Sequence, residues 1–232
     1  MKIDVNPHTM FINDVDIFSY GALIEKFTVG GTEIENSVYQ GVNRTGFNLL
    51  NSRFGMRQIS VSIFLSAHDR RSLTLKKSKL DSLMWGKLEL AMPDGFLYTA
   101  VLTSAGELTM LGSEGNQVIG LCAYSFTGIQ HGRLVQHVGN TVFCESTMPQ
   151  TDCRLTCTAN RAYASLTIDT VTITNVAQGD VLVVDGLNGR ILQNGGPCAG
   201  NMSFLRFPSL TPGENNLTCP LTLTVEYYPT YI

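Results

Sequence analysis

The stretch Ser165-Leu166-Thr167-Ile168-Asp169-Thr170-Val171-Thr172-Ile173 alternates apolar and polar residues. It is followed by Asp180-Val181-Leu182-Val183-Val184-Asp185-Gly186-Leu187-Asn188-Gly189-Arg190-Ile191-Leu192-Gln193. A period of two is the signature of strands with one buried face. Asn188-Gly189 between two such runs is a hairpin turn, because both residues tolerate the positive φ that a tight turn requires. Asn194-Gly195-Gly196-Pro197 is a second turn. Pro212-Gly213-Glu214-Asn215-Asn216 is a third, ahead of the closing strands Leu217-Thr218 and Leu221–Glu226. Short strands with turns every 8–12 residues or so describe a β-sandwich.

Upstream, Gln58-Ile59-Ser60-Val61-Ser62-Ile63-Phe64-Leu65 places Ile59, Val61, Ile63 and Leu65 on one face of a strand. Leu23–Val29 reads as a strand ending at Gly30-Gly31, and Val38-Tyr39-Gln40 as another. Between Gly41 and Arg57 lie glycines, arginines and two phenylalanines. A loop or long hairpin of about 15 residues is uncommon unless it has a task. One helix is expected at about 69–85, with Asp69 as N-cap and Leu73, Leu80, Leu83 and Met84 along one stripe. Lys76, Lys77 and Lys79 should face solvent. Strands resume at Lys87–Leu90, Phe96–Leu102, Glu107–Leu111 and Val118–Phe126. Polar and glycine residues at Thr127–Arg133 mark a boundary. The fold class is therefore mainly β with one α-helix. The domains are residues 1–130, β-rich, with an extended arm at about 41–57, and residues 131–232, a β-sandwich.

Composition narrows the function. In 232 residues, 44% are hydrophobic and 15% are charged, against a usual charged share of about 25%. A net charge of −3 argues against general affinity for nucleic acid or an anionic membrane. No apolar run reaches the roughly 18 residues of a membrane span, and Met1–Asn6 lacks an apolar signal region. A chain made in the cytoplasm is expected. All six cysteines, Cys122, Cys144, Cys153, Cys157, Cys198 and Cys219, lie in the second half without a Cys-x-x-Cys pair. Free buried thiols are the expectation, and no metal site is assigned.

No residue pattern assembles a catalytic group. The histidines His8, His68, His131 and His137 stand outside any strained nucleophile turn, and the carboxylates are scattered. Gly112-Ser113-Glu114-Gly115 lacks the Lys-Ser/Thr of a phosphate loop. Asp180 and Asp185 read as turn-formers, and Trp85 as a core or interface anchor. Catalytic, cofactor and metal residues are all assigned as none.

Several pieces stand in a telling order. They are the strands of 165–184, Asp185–Gly189, Arg190–Gly195, Phe207–Asn215 and the ending Tyr227-Tyr228-Pro229-Thr230-Tyr231-Ile232. In that order they resemble the C-terminal domain of siphophage distal tail proteins. The strand at 58–65, the helix, the strand at 87–90 and Asp94–Ala100 resemble the N-terminal domain of the same family.

The resemblance implies a non-enzymatic virion protein, the hub of the tail tip or baseplate. N-terminal domains would form a ring, as a hexamer, around a channel through which DNA may pass. C-terminal domains of galectin or carbohydrate-binding-module fold would project outward as docking platforms. The implied partners are other copies of the chain, the tail tube protein, a tail-associated or tip protein and a receptor-binding protein. There would be no cofactor, no membrane and no specific nucleic-acid contact. The implied location is the tail tip of a virion made in the host cytoplasm. The arm would reach onto a neighbouring subunit, and Arg44, Phe47, Arg53, Phe54 and Arg57 are the candidate contacts, since Phe and Arg are favoured interface anchors. A lectin-like module recognising a host glycan is the alternative.

Overall fold

A computed structural model describes residues 8–40, 42, 45–198 and 200–232. It divides into two compact units, the first ending at His131 and the second spanning Gly132–Tyr231. The protein is mainly β, and a single α-helix occurs among the described residues. That helix is neither long nor apolar enough to cross a membrane.

In the first unit, β1 (Phe11–Ile12), β2 (Val15–Asp16), β3 (Ala22–Tyr39) and β4 (Asn48–Ala67) precede α1 (Arg70–Leu83). β5 (Lys87–Ala91), β6 (Leu97–Ala105), β7 (Thr109–Glu114) and β8 (Gln117–His131) follow. These strands form one antiparallel sheet in the order β2-β1-β5-β6-β8-β4-β3, with β7 continuing the edge beside β8. The alternation of β4 sets its register. Ile59, Val61, Ile63 and Leu65 are buried beside Cys122, Tyr124 and Phe126 of β8. α1 closes this face with Leu73, Leu80 and Met84. Asp69 caps it by accepting from the Ser72 amide at 2.8 Å, and that hydrogen bond holds its carboxyl below the usual range.

Two lysines depart from the sequence reading. Lys76 donates to the Ser66 carbonyl at 2.7 Å, and Lys77 pairs with Asp81 at 2.8 Å while lying over the Tyr124 ring. Both are half-buried, because their long apolar stems cover the core edge while the ammonium finds a local acceptor. β8 likewise runs unbroken through Thr127–His131, where the sequence reads as a boundary. Gly128 is no turn residue. A Cβ there would stand 2.7 Å from the Ala100 Cβ and the Thr99 carbonyl, so glycine is what lets β6 approach.

Among the described residues, the regular elements of the second unit are all strands. They are β9 (Val135–Val138), β10 (Thr141–Cys144), β11 (Thr151–Thr158), β12 (Tyr163–Ile168), β13 (Val171–Val176) and β14 (Val181–Asp185). β15 (Arg190–Gln193), β16 (Gly196–Pro197), β17 (Met202–Phe204), β18 (Ser209–Leu210), β19 (Gly213–Asn216) and β20 (Thr224–Tyr227) complete it. The main sheet runs β16-β15-β14-β11-β20-β9, with β18 on β11. β12-β13-β17 form a second sheet and β10-β19 a third. Leu155, Leu182, Val184, Leu223 and Val225 share one core with Leu166, Ile168, Val171 and Ile173.

Candidate functional site

β3 and β4 extend beyond the rest of their sheet. β8 pairs with β4 only from Arg57 to Ala67. Beyond that point β3 and β4 continue as a two-stranded ribbon, pairing from Thr32↔Arg57 out to Tyr39↔Asn48. Gly30-Gly31 does not end β3, since register shifts between Val29 and Ile34 absorb the irregularity and the ladder resumes. The arm expected at 41–57 is therefore the tip and returning strand of a longer hairpin whose outgoing strand is Thr32–Tyr39.

The ribbon carries uncovered apolar side chains among its polar ones. Ile34, Val38, Tyr39, Phe47, Leu49 and Leu50 are all more than half exposed. An isolated two-stranded hairpin is marginal in water. Exposed apolar side chains on such an element mark a surface that gains by being covered.

The predicted contact residues fall as follows. Arg44 lies outside the described residues. Phe47 stands at the tip, 66% exposed. Arg53 donates to Glu35 through Nε at 2.7 Å and Nη2 at 2.5 Å, tying the two strands together. Phe54 is half-buried opposite Ile34. Arg57 sits at the base opposite Thr32. Its Nε and the Thr32 Oγ1 are buried without a hydrogen-bond partner among the described residues. Thus Phe47, Arg53 and Phe54 share the ribbon, and Arg57 marks its root.

Sequence reasoning missed a second surface. On the sheet face turned away from α1, Leu23, Phe64 and Leu121 lie side by side across β3, β4 and β8. Leu23 and Phe64, with Leu111, Ile119, Gly21 and Gly112, line an almost wholly apolar groove of about 500 Å³. The signal was present as Phe64 in the polar positions of the β4 alternation. Trp85 is a further case: it is 90% exposed just past α1, so it is no part of the core.

In the second unit, a row of polar residues crosses the main sheet. Arg190, Asp185, Arg154, Glu226 and Gln136 face one another across β15, β14, β11, β20 and β9. Asp185 is fully buried and accepts from Arg190 at 2.9 Å, from Asn188 Nδ2 at 2.9 Å and from Arg154 at 3.4 Å. Burial alone would raise its pKa, but the hydrogen bonds from Asn188, Arg190 and Arg154 together hold it below the usual aspartate range. Asp180 ties the Ala177 amide, Gln193 and Asn194 together. Both aspartates are turn-formers. Tyr227 is buried, its hydroxyl donating to the Phe143 carbonyl at 3.0 Å, and Tyr163 is half-buried with Arg161 over its ring. Exposed apolar side chains gather instead at β17, where Met202 and Phe204 are followed by Leu205, 98% exposed.

No protein-family model matches the chain, and no curated protein matches it in sequence. Solved structures do match in fold. The Dit protein of phage SPP1, a hub of the adsorption apparatus in phages infecting Gram-positive hosts, superposes with a TM-score of 0.74. That match has 12% identity and covers 98% of this chain and 100% of that one. A chain of the phage P2 baseplate in its activated conformation with Ca matches with a TM-score of 0.55 and 7% identity, over 95% and 97% of the two chains. The same baseplate with Sr gives 0.50 and 8%, over 96% and 98%. The chain has the fold of a phage distal tail hub protein along nearly its whole length.

Proposed function

We propose that this chain is the architectural hub of a phage tail tip. Its first unit assembles into a closed hexameric ring that joins the tail tube to the adsorption apparatus. The observation that carries the reading is the long arm with exposed apolar side chains, uncovered within its own chain, on a fold shared with the SPP1 hub. A cyclic ring needs two unlike patches, one meeting the other on the next copy. The arm is one such patch, and the apolar groove beside Leu23 and Phe64 is suited to be the other. Arg57 and Thr32, with unpaired polar atoms at the arm root, would gain partners there.

The second unit then serves as the docking platform for a tip or receptor-binding protein, through the exposed edge at Met202, Phe204 and Leu205. The role is one of binding and geometry rather than catalysis. The protein acts in the virion after synthesis in the host cytoplasm, with DNA passing through the ring.

Light scattering of the purified chain tests this. An absolute mass near 152 kDa, six copies of the 25.4 kDa chain, is the expected result for the closed ring. A mass that stays at one chain across all concentrations would overturn self-assembly.

A further inference from the structure

We propose that the outer face of α1 is a contact surface between copies of this chain, anchored by Trp85, and that it seats on the acidic outer face of β10 and β19 in the next copy. The inference rests on the ring reading, because it needs copies already held by their arms.

One helix builds the first surface. Arg71, Leu75, Lys79 and Ser82 recur at spacings of four, four and three, so they share the side of α1 opposite Leu73 and Leu80. All four are exposed, Leu75 by 54%. Trp85 follows just past the helix end, and Gly86, at φ 83, turns the chain into β5. Trp and Arg are enriched among the side chains that dominate binding surfaces.

The charge of this element is lopsided. From Asp69 to Lys87 the chain carries six cations and two carboxylates, a balance of +4 in a protein of net charge −3, so the remainder stands at −7. Lys76 and Lys77 are spent on Ser66 and Asp81. Arg70, Arg71, Lys79 and Lys87 are exposed and join none of the ion pairs among the described residues.

The second surface has the opposite sign. In β10, Val142 and Cys144 enter the core of the second unit, while Thr141 and Phe143 point outward. Phe143 is 68% exposed, and Glu214 of β19 lies directly across from it. Residues opposite each other on paired strands share a face. Glu145 is the next exposed residue after Phe143. Neither carboxylate is in an ion pair among the described residues.

The two surfaces complement each other in kind. One offers an indole with cations, the other a phenyl ring with carboxylates, and aromatic contact inside a polar rim is how docking patches are composed. Exposed ion pairs are weak singly, so this contact reinforces copies already joined and fixes their orientation. Nucleic acid suits the helix less well. A single aromatic stands among its cations, two of which are spent, on a chain of net negative charge.

Trp85 is the only tryptophan, so its fluorescence reads the contact directly. The full chain is followed by light scattering and tryptophan emission in the same samples across concentration. Expected is a blue shift with weaker acrylamide quenching where the mass rises to six chains. Salt at about 1 M, which limits charge interactions to about 3 Å, should restore the dilute-chain spectrum while the apolar arm contact keeps the mass. Arg71→Glu with Lys79→Glu should abolish the shift at low salt, and adding Glu145→Lys with Glu214→Lys should bring it back. All four positions are exposed, and circular dichroism checks that each variant keeps its fold. A six-chain mass with Trp85 as open to quenching as in the dilute chain would overturn the proposal and leave the ring standing. A mass that stays at one chain overturns both. So do the others in turn for the proposal alone: no recovery in the fourfold variant, a shift independent of concentration, or shielding only when a single-stranded oligonucleotide is added.

Discussion

Asp185 shows how one buried charge can hold a sheet. Its carboxylate is fully enclosed, yet Arg154, Arg190 and Asn188 supply every hydrogen bond it needs. Removing one member of such a set leaves the others without their partner. The arginines keep contact with solvent, so the cost falls at the low end of the range. Asp185→Ala is expected to destabilise the second unit by about 3 kcal/mol in urea unfolding. Folding lowers the Asp185 pKa, so the native state takes up its proton less readily than the unfolded chain. Its stabilising contribution is complete above the ordinary aspartate value of 3.8 and is lost as the pH falls through the lower folded value. Acid unfolding of Asp185→Ala should therefore lack the part of the wild-type slope that this group contributes between 3.8 and the lower folded value. Next to it, Gly186 allows β11 to pass: a Cβ there would meet the Cys153 carbonyl at 2.8 Å. The Asp-Gly-Leu-Asn-Gly turn was legible in the sequence, but the two arginines that satisfy Asp185 were not. Arg154 comes from a different strand and meets Asp185 only through sheet register.

At the scale of the element, the arm behaves unlike the strands that continue from it. Within the sheet, β4 is pinned on both sides by β3 and β8. Past Arg57 it has one neighbour only, and the Arg53–Glu35 pair that links the two strands is exposed, so it contributes less than about 1 kcal/mol. Phe47 and Leu50 stand 66% and 68% exposed. Replacing both by Asp should change the stability of the single chain by no more than about 0.5 kcal/mol each. On the assembly reading, the same change should reduce the scattering mass to that of one chain. Loss of fold, seen by circular dichroism, would instead assign these residues to the core. The sequence indicated a segment with anchors between 41 and 57 but divided the outgoing strand at Gly30-Gly31. Two glycines are a stop signal in isolation, and only the opposite strand supplies the ladder that carries β3 through them.

For the whole molecule, two separate cores predict two cooperative events. Ile59, Ile63 and Leu80 belong to one cluster, while Leu155, Val184 and Val225 belong to the other. Calorimetry of the full chain should show two transitions. Leu155→Ala, at a site with no solvent exposure, should cost the second unit about 2–5 kcal/mol and leave the other transition in place. A single transition shifted as a whole by that substitution would show that the units unfold together. By itself, the sequence determined what depends on near neighbours. Alternation in 58–65 and 165–184 made strands, Asp69 made a helix start, and Asn188-Gly189 made a hairpin, because period, caps and turns act over a few residues. Tertiary structure alone decided that Lys76 and Lys77 are spent inside the fold, that Trp85 lies outside the core, and that Leu23 and Phe64 share a groove. These outcomes depend on what the rest of the fold places around each residue, as when strand register sets Leu23 beside Phe64, and periodicity along the chain does not encode that.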